Sequence, residues 1–406
     1  MVCALFIFSV LTTFVTSAQK YTTLYNFNGT DGYVPQGPLF QGKNGEFYGT
    51  TTNGGTNNLC VGDFMGCGTV FSITPDGRFT TLYNFCSEGG KLCTDGAEPI
   101  AGLIQGTDGK FYGTTSSGGA HGGGTIFSIT TDGVMTIIHH FDFHNGDGTR
   151  PYAGLVQGAD GKFYGTTYDG GAYLEGTVFS VTAQGSYTTL HSFFDEDGEY
   201  PAAALIQGTD GNFYGTTSIG GAGDCSVGCG TVFRINCAGK FSVLNSLSLG
   251  DGQSPVAPLV QGTDGKFYGT ALYGGTGGCG GSGCGTIFSV TPSGTLTRLH
   301  SFHDVGGRNP TAGMIQGTDG NFYGTTPSGG KYYIGEIFEI TSKGQLTNLA
   351  SFNGADGERP YAGLIQAING KFYGTAQFGG IYGNGTVFSI SLGLEPFAEH
   401  TSETTK

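Results

Sequence analysis

The sequence predicts an all-β chain folded as a seven-bladed β-propeller, with four antiparallel strands per blade and the N-terminal strand completing the last blade. Three observations carry this expectation. The tetrapeptide Phe-Tyr-Gly-Thr recurs seven times, each copy sits among four strand-like segments, and one repeat is divided between the two chain ends.

The copies begin at Phe47, Phe111, Phe163, Phe213, Phe267, Phe322 and Phe372, at intervals of 64, 52, 50, 54, 55 and 50 residues. A period near fifty marks a supersecondary unit, so it overrides the two or three domains that 406 residues would otherwise suggest. Each copy follows an apolar pair and a Gln, as in Leu103-Ile104-Gln105, and then an Asn-Gly or Asp-Gly such as Asn44-Gly45 or Asp108-Gly109. Those dipeptides accept the positive φ of a tight hairpin, which gives strands one and two.

Strand three is Gly68-Thr69-Val70-Phe71 and its counterparts, of which Gly335-Glu336-Ile337-Phe338 alone replaces the Thr. Its β-branched and aromatic residues suit a pleated surface. A further turn, such as Asp76-Gly77, leads to strand four, for example Thr80-Thr81-Leu82-Tyr83-Asn84-Phe85. Four antiparallel strands make a propeller blade. The chain opens on a strand four with no first three, Thr22-Thr23-Leu24-Tyr25-Asn26-Phe27, and its last repeat stops after strand three at Phe388-Ser389-Ile390. Pairing the two removes the unpaired edges of an open ring.

Composition agrees. The 79 glycines are periodic, aromatic residues reach 13%, and hydrophobic residues at 37% suffice for a core. A net charge of −14 excludes a nucleic-acid surface, which needs clustered Lys and Arg, and disfavours anionic membranes. Residues 1–18 carry the apolar run Ala4 to Leu11 and then Thr16-Ser17-Ala18, the pattern of a secretory signal peptide, with a short anchor helix as the alternative. The propeller is expected over residues 19–391 and a polar tail over 392–406, in a protein that is secreted or at the cell surface, monomeric, and without a transmembrane segment after the signal.

These motifs resemble the Gloeo/Verruco (GloVer) tandem repeat, whose consensus joins a D-G-x-x-P-x-x-x-L lead-in, a D-G-x-F/L-Y-G-T hairpin, a Gly-Gly loop and a G-T-V-F strand. The resemblance covers residues 22–391 and implies a secreted or surface protein without implying an activity. Members often carry a C-terminal anchoring segment, and the polar tail departs from that pattern. The Gly-Gly is shared with kelch blades, but those carry a Trp and this chain has none.

Candidate site residues follow from the loop partition of a propeller. The two-to-three loops and the four-to-one junctions share one face. The two-to-three loops hold 17 residues before Gly68, 13 before Gly230 and 14 before Gly285, against 9 in each of the other four. Variable loops on a rigid scaffold are where binding resides, which points to blades one, four and five. The junctions carry Asp-Gly-x-x-Pro with Asp31, Asp95, Asp147, Asp197, Asp251 and Asp356, and with Gly306 in the sixth. Such carboxylates could hold calcium, especially in Asp195-Glu196-Asp197 or near Asp142 and Asn145, but the spacing departs from the EF-hand loop and turn capping is the simpler role. His121, His144 and His303 fall in loops of the same face, whereas His139, His140, His191 and His300 fall on fourth strands. The Gln41, Gln105, Gln157, Gln207, Gln261, Gln316 and Gln366 series belongs to every blade and so to the scaffold.

Cysteines come in local pairs: Cys60 with Cys67, Cys86 with Cys93, Cys225 with Cys229, and Cys279 with Cys284. In an exported chain these read as disulfides that staple the long loops, since zinc wants four ligands and the pairs fall on separate blades. Cys237 is left over and Cys3 lies in the leader. No catalytic constellation and no cofactor motif stands out. The leading expectation is a non-catalytic module binding an extracellular glycan, peptide or protein. Its rival is a propeller glycoside hydrolase or lyase using carboxylates that break the repeat, namely Asp63, Asp169, Glu175, Asp224 and Glu336. A quinone-dependent dehydrogenase is disfavoured, since propellers of that kind are Trp-rich.

Overall fold

The computed structural model describes residues 20–396 except 58, 61–65, 89 and 304–305. The expected leader, Asp63 and residues 397–406 of the tail lie outside the described residues. Seven four-stranded antiparallel sheets form the ring. Blade one is Phe40–Gln41, Phe47–Thr51, Thr69–Ile73 and Phe79–Asn84, in that order from the axis outward. Blades two to six repeat the order. In blade seven Lys20–Asn26 pairs antiparallel with Thr386–Ser391, from Lys20 opposite Ser391 to Asn26 opposite Thr386. The split repeat therefore closes the ring.

Each letter of Phe-Tyr-Gly-Thr has a separate physical task. The Tyr of one blade stacks on the Phe of the next, at ring-centroid distances from 3.9 Å (Tyr48 and Phe111) to 4.5 Å (Tyr323 and Phe372), and Tyr373 on Phe47 at 4.1 Å completes the circle. Most of these hydroxyls donate to the hairpin Asp, as Tyr164 does to Asp160 at 2.8 Å. The Gly leaves room for the strand-three Phe, since a Cβ on Gly49 would lie 2.5 Å from Phe71 Cζ. The Thr hydroxyl donates to the next blade's lead-in carbonyl, from Thr50 to Ala101 at 2.7 Å and so on round the ring. Interblade cohesion is thus written into the Phe, Tyr and Thr, and the packing within each blade into the Gly.

The Gln series adds a second circle on the hairpin face. Its amide oxygen accepts from a backbone N–H in the preceding blade's hairpin, as Gln105 does from Lys43 at 3.2 Å, and its Nε2 donates back to its own turn at Gly109. Gln41 closes this circle by accepting from Ile368 at 2.9 Å. Seven repeats of one bond explain why the residue never varies.

The sixth blade departs from the repeat twice, at positions that touch. Where the junction has Gly306 in place of Asp, strand three has Glu336 in place of Thr, fully buried, accepting from Gly307 N at 2.8 Å and from the Asn348 amide. Burial pushes its carboxyl up, against those two hydrogen bonds. Buried and bonded through both oxygens, Glu336 faces no open site.

Candidate functional site

The two-to-three loops and the four-to-one junctions meet on one face, joined in each blade by an antiparallel bridge such as Tyr33 with Asn53 or Thr149 with Asp169. The six candidate aspartates lie here but face their own turns. Asp31 accepts from Tyr25 Oη (2.5 Å) and Asn28 N; Asp95 from Tyr83 Oη (2.8 Å) and Ser87 N. Asp147 pairs with His139 Nε2 (2.7 Å) and Asp142 N, and Asp197 with His191 Nε2 (2.8 Å) and Phe194 N. Asp251 accepts from Ser248 Oγ and Asp356 from Asn353 N. Their lone pairs serve capping bonds that satisfy the turn. They stand apart round the ring and do not converge on one ligand.

The fold places a different residue at the rim of the axial opening. The position before each junction Pro, occupied by Val34, Glu98, Arg150, Tyr200, Ser254, Asn309 and Arg359, has φ between 51° and 60° in all seven blades. Non-glycine residues there are uncommon and cost of order 1–3 kcal/mol each. The backbone is held by the bond from this N–H to the preceding blade, as from Arg150 to Gly123 O (2.9 Å) or Tyr200 to Glu175 O (2.9 Å). The neighbouring Pro locks it further, because the strand-three Gly leaves space for that ring: a Cβ on Gly68 would lie 2.5 Å from Pro99 Cδ. A strained backbone that repeats and a side chain that differs in nearly every blade define a rim of seven variable positions. Sequence reasoning passed over it, although an unrestricted residue before an unvarying Pro was the available signal.

Chemistry concentrates on one arc of this rim, over blades two to four, which shares only blade four with the stapled blades one, four and five. Tyr168 lies between Tyr152 (4.9 Å) and Tyr200 (5.0 Å). Beside them Arg150 Nε pairs with Asp169 at 2.6 Å. A pocket of about 290 Å³ lined by Glu98, His121, Phe143, Arg150 and Tyr152 opens next to this row. His121 lies 3.7 Å from Asp142, and His144 is exposed in the same junction. His303 is exposed on a different junction, 6.5 Å from His300 between ring centroids.

On the far side of Tyr200, carboxylate oxygens of Glu175, Asp195 and Glu199 lie within 4.8 Å of one another. Burial, then the charges of Glu175 and Asp195, push Glu199 up to about 7. A carboxyl raised in this way binds more protons folded than unfolded, so its contribution is complete below its ordinary 4.5 and lost as pH rises to about 7. Stability is expected to fall over that interval by about 1 kcal/mol after solvent screening. Urea titrations at several pH values check this, and Glu199→Gln should flatten the slope.

The axial channel, about 620 Å³, is lined by small and apolar residues, with Gln36, Tyr152, Thr311 and Tyr361 as its polar side chains and no Asp, Glu, His, Lys, Arg or Cys. Among the described residues, the repeat-breaking acids are engaged separately. Asp169 is held by Arg150, Glu175 belongs to the carboxylate cluster, and Asp224 accepts from Leu249 N at 2.7 Å.

Four disulfides join Cys60 to Cys67, Cys86 to Cys93, Cys225 to Cys229 and Cys279 to Cys284; Cys237 is free and exposed. The pairs Cys60–Cys67 and Cys86–Cys93 do not stand apart as expected. The long loop and the junction of blade one meet, and all four sulfurs lie within 4.8 Å of one another.

A closed ring with an apolar channel and a variable, strained rim defines a repeat-built propeller scaffold. The chain belongs to the Gloeobacter/Verrucomicrobia repeat family, whose model matches residues 8–150, 132–281 and 222–404. Comparison with curated protein sequences gives no match. Among solved structures, a 6-phosphogluconolactonase candidate from Bacteroides fragilis NCTC 9343 is 19% identical over 81% of this chain and 86% of its own, with a TM-score of 0.50. A luciferin-regenerating enzyme is 13% identical over 94% and 98%, at 0.49, and a gluconolactonase from Xanthomonas campestris 13% identical over 92% and 90%, at 0.45. At these identities the likeness extends to the propeller fold alone. No helix among the described residues is long and apolar enough to cross a membrane.

Proposed function

We propose that the protein is a non-catalytic extracellular binding module that takes a short glycan on its variable-loop face, across the rim of blades two to four. The observation that carries this reading is an asymmetry between the two faces. Among the described residues, thirteen of the fifteen exposed large apolar side chains, including Phe143, Tyr173, Phe194, Tyr332 and Tyr382, lie on the loop face; only Val134 and Ile368 lie on the other. Exposed apolar side chains gathered on one side mark an interaction surface.

Glycan is favoured over a purely apolar partner by what stands beside the rings. Tyrosine faces stack on the C–H faces of a sugar, while the Arg150–Asp169 pair and Glu98 offer charged hydrogen-bonding groups to its hydroxyls. Hydrolysis fits less well. The clustered carboxylates lie closer together than the roughly 5–5.5 Å of a retaining pair and well inside the 6.5–9.5 Å of an inverting one.

A glycan array probed with the full-length protein, followed by calorimetry on the best ligand, tests the reading. Tyr200→Ala and Arg150→Ala are each expected to weaken binding about tenfold, the loss of one stacking or charge-assisted contact, while Val134→Ala on the opposite, hairpin face leaves it unchanged. Binding that survives both rim substitutions sinks the assignment to this arc. Polysaccharide cleavage abolished by Glu199→Gln replaces the module with an enzyme.

A further inference from the structure

We propose that Cys60, Cys67, Cys86 and Cys93 form a single four-sulfur centre, which carries two disulfides when oxidised and holds one zinc ion when reduced. Their sulfurs all lie within 4.8 Å of one another, so a common centre is within reach of each. Tetrahedral zinc with Zn–S bonds near 2.3 Å sets its sulfurs about 3.8 Å apart. Once the two S–S bonds are broken, each pair can open to that distance, and the separations between pairs need close by only about 1 Å.

The surroundings suit a metal thiolate. Cys67, Cys86 and Cys93 are buried in an apolar cluster with Val70, Phe85 and Leu103, which excludes competing water. The Cys60 N–H points to Cys67 Sγ at 3.1 Å, a donor that favours a thiolate. Cys86 and Cys93 hold left-handed backbone, with φ of 61° and 45°, which costs energy and needs the surrounding fold to maintain it. Two independent staples would not need to share one site.

Interconversion is balanced through a thiol–disulfide partner. Each disulfide takes two electrons and two protons from a dithiol, so two dithiols yield four protein thiols; binding of Zn²⁺ then releases the four thiol protons. In reverse, the tetrathiolate passes four electrons to two disulfide oxidants, whose sulfurs take up four protons, while two S–S bonds form in the protein and Zn²⁺ departs. The redox poise of the compartment selects the state.

The test uses the full-length protein reduced anaerobically with a phosphine, then supplied with Zn²⁺ or with Co²⁺ as a spectroscopic probe. One metal per chain is expected after desalting, with the thiolate-to-cobalt charge-transfer bands of a tetrahedral tetrathiolate. Zinc should slow alkylation of these four cysteines about tenfold, since a coordinated thiolate is withheld from the reagent, while Cys237 reacts as before. Cys279→Ser with Cys284→Ser should retain the metal, and Cys86→Ser with Cys93→Ser should lose it. The proposal is overturned if the reduced wild-type chain keeps no metal, if zinc leaves the alkylation pattern unchanged, or if the chain unfolds on reduction with zinc present. The wild-type alkylation pattern decides the matter whether or not the serine variants fold.

Discussion

Deletion of residues 19–27 is expected to abolish the native ring. The closing strand places Phe27 fully inside the cluster that joins blades seven and one, against Phe71 and Phe79. Tyr21 stacks on Phe388 at 5.3 Å and donates its hydroxyl to Asp356 O at 2.8 Å. Loss of a buried aromatic side chain costs about 3–5 kcal/mol, and two of them together approach the whole stability of an ordinary domain, about 5–15 kcal/mol. The deletion also bares the edge of Thr386–Ser391, which invites aggregation. Circular dichroism melts and size-exclusion chromatography measure the outcome, and a synthetic peptide of residues 19–27 added in trans should recover part of the native signal. A truncated chain that melts at the temperature of the intact one would show that closure contributes nothing.

Tyr164→Ala is expected to destabilise the protein by about 3–5 kcal/mol, through a lost stacking partner and a cavity between two blades. Tyr164 is fully buried, stacked on Phe213 at 4.0 Å and bonded to Asp160. Tyr164→Phe keeps the stack and forfeits only the hydroxyl bond, so it should cost about 1 kcal/mol. Denaturant melts of the two variants separate these contributions. Equal losses would mean that the hydroxyl, and not the stack, holds blades three and four together. Because seven such contacts close on themselves, damage at one interface should reduce the cooperativity of the whole transition.

The sequence and the structure divide the explanation along a physical line. Whatever recurs with the repeat could be read directly: the seven hairpins, the four strands of each blade, the closing strand at Thr22 to Phe27 and the pairing of neighbouring cysteines. Each is a local or periodic property, set by φ preferences, side-chain alternation and a chain separation of a few residues. The partners of Phe-Tyr-Gly-Thr and of the Gln series lie about fifty residues away, so their roles emerged only when adjacent blades were brought side by side.

The site divides in the same way. Asp31, Asp95, Asp147, Asp197, Asp251 and Asp356 were visible because they repeat, and for that reason they belong to the turns. The rim position of Arg150 and Tyr200 keeps no one side-chain chemistry round the ring, so only the unvarying Pro that follows it marked the position in the sequence. Tertiary structure alone gathered Tyr152, Tyr168 and Tyr200 into one row, set Glu175 and Asp195 around Glu199, and brought two cysteine pairs into one cluster. The sequence by itself determined the ring, because a ring is made by repetition. Its closure in space decided the site, because convergence depends on which loops the curvature of the ring turns toward one another.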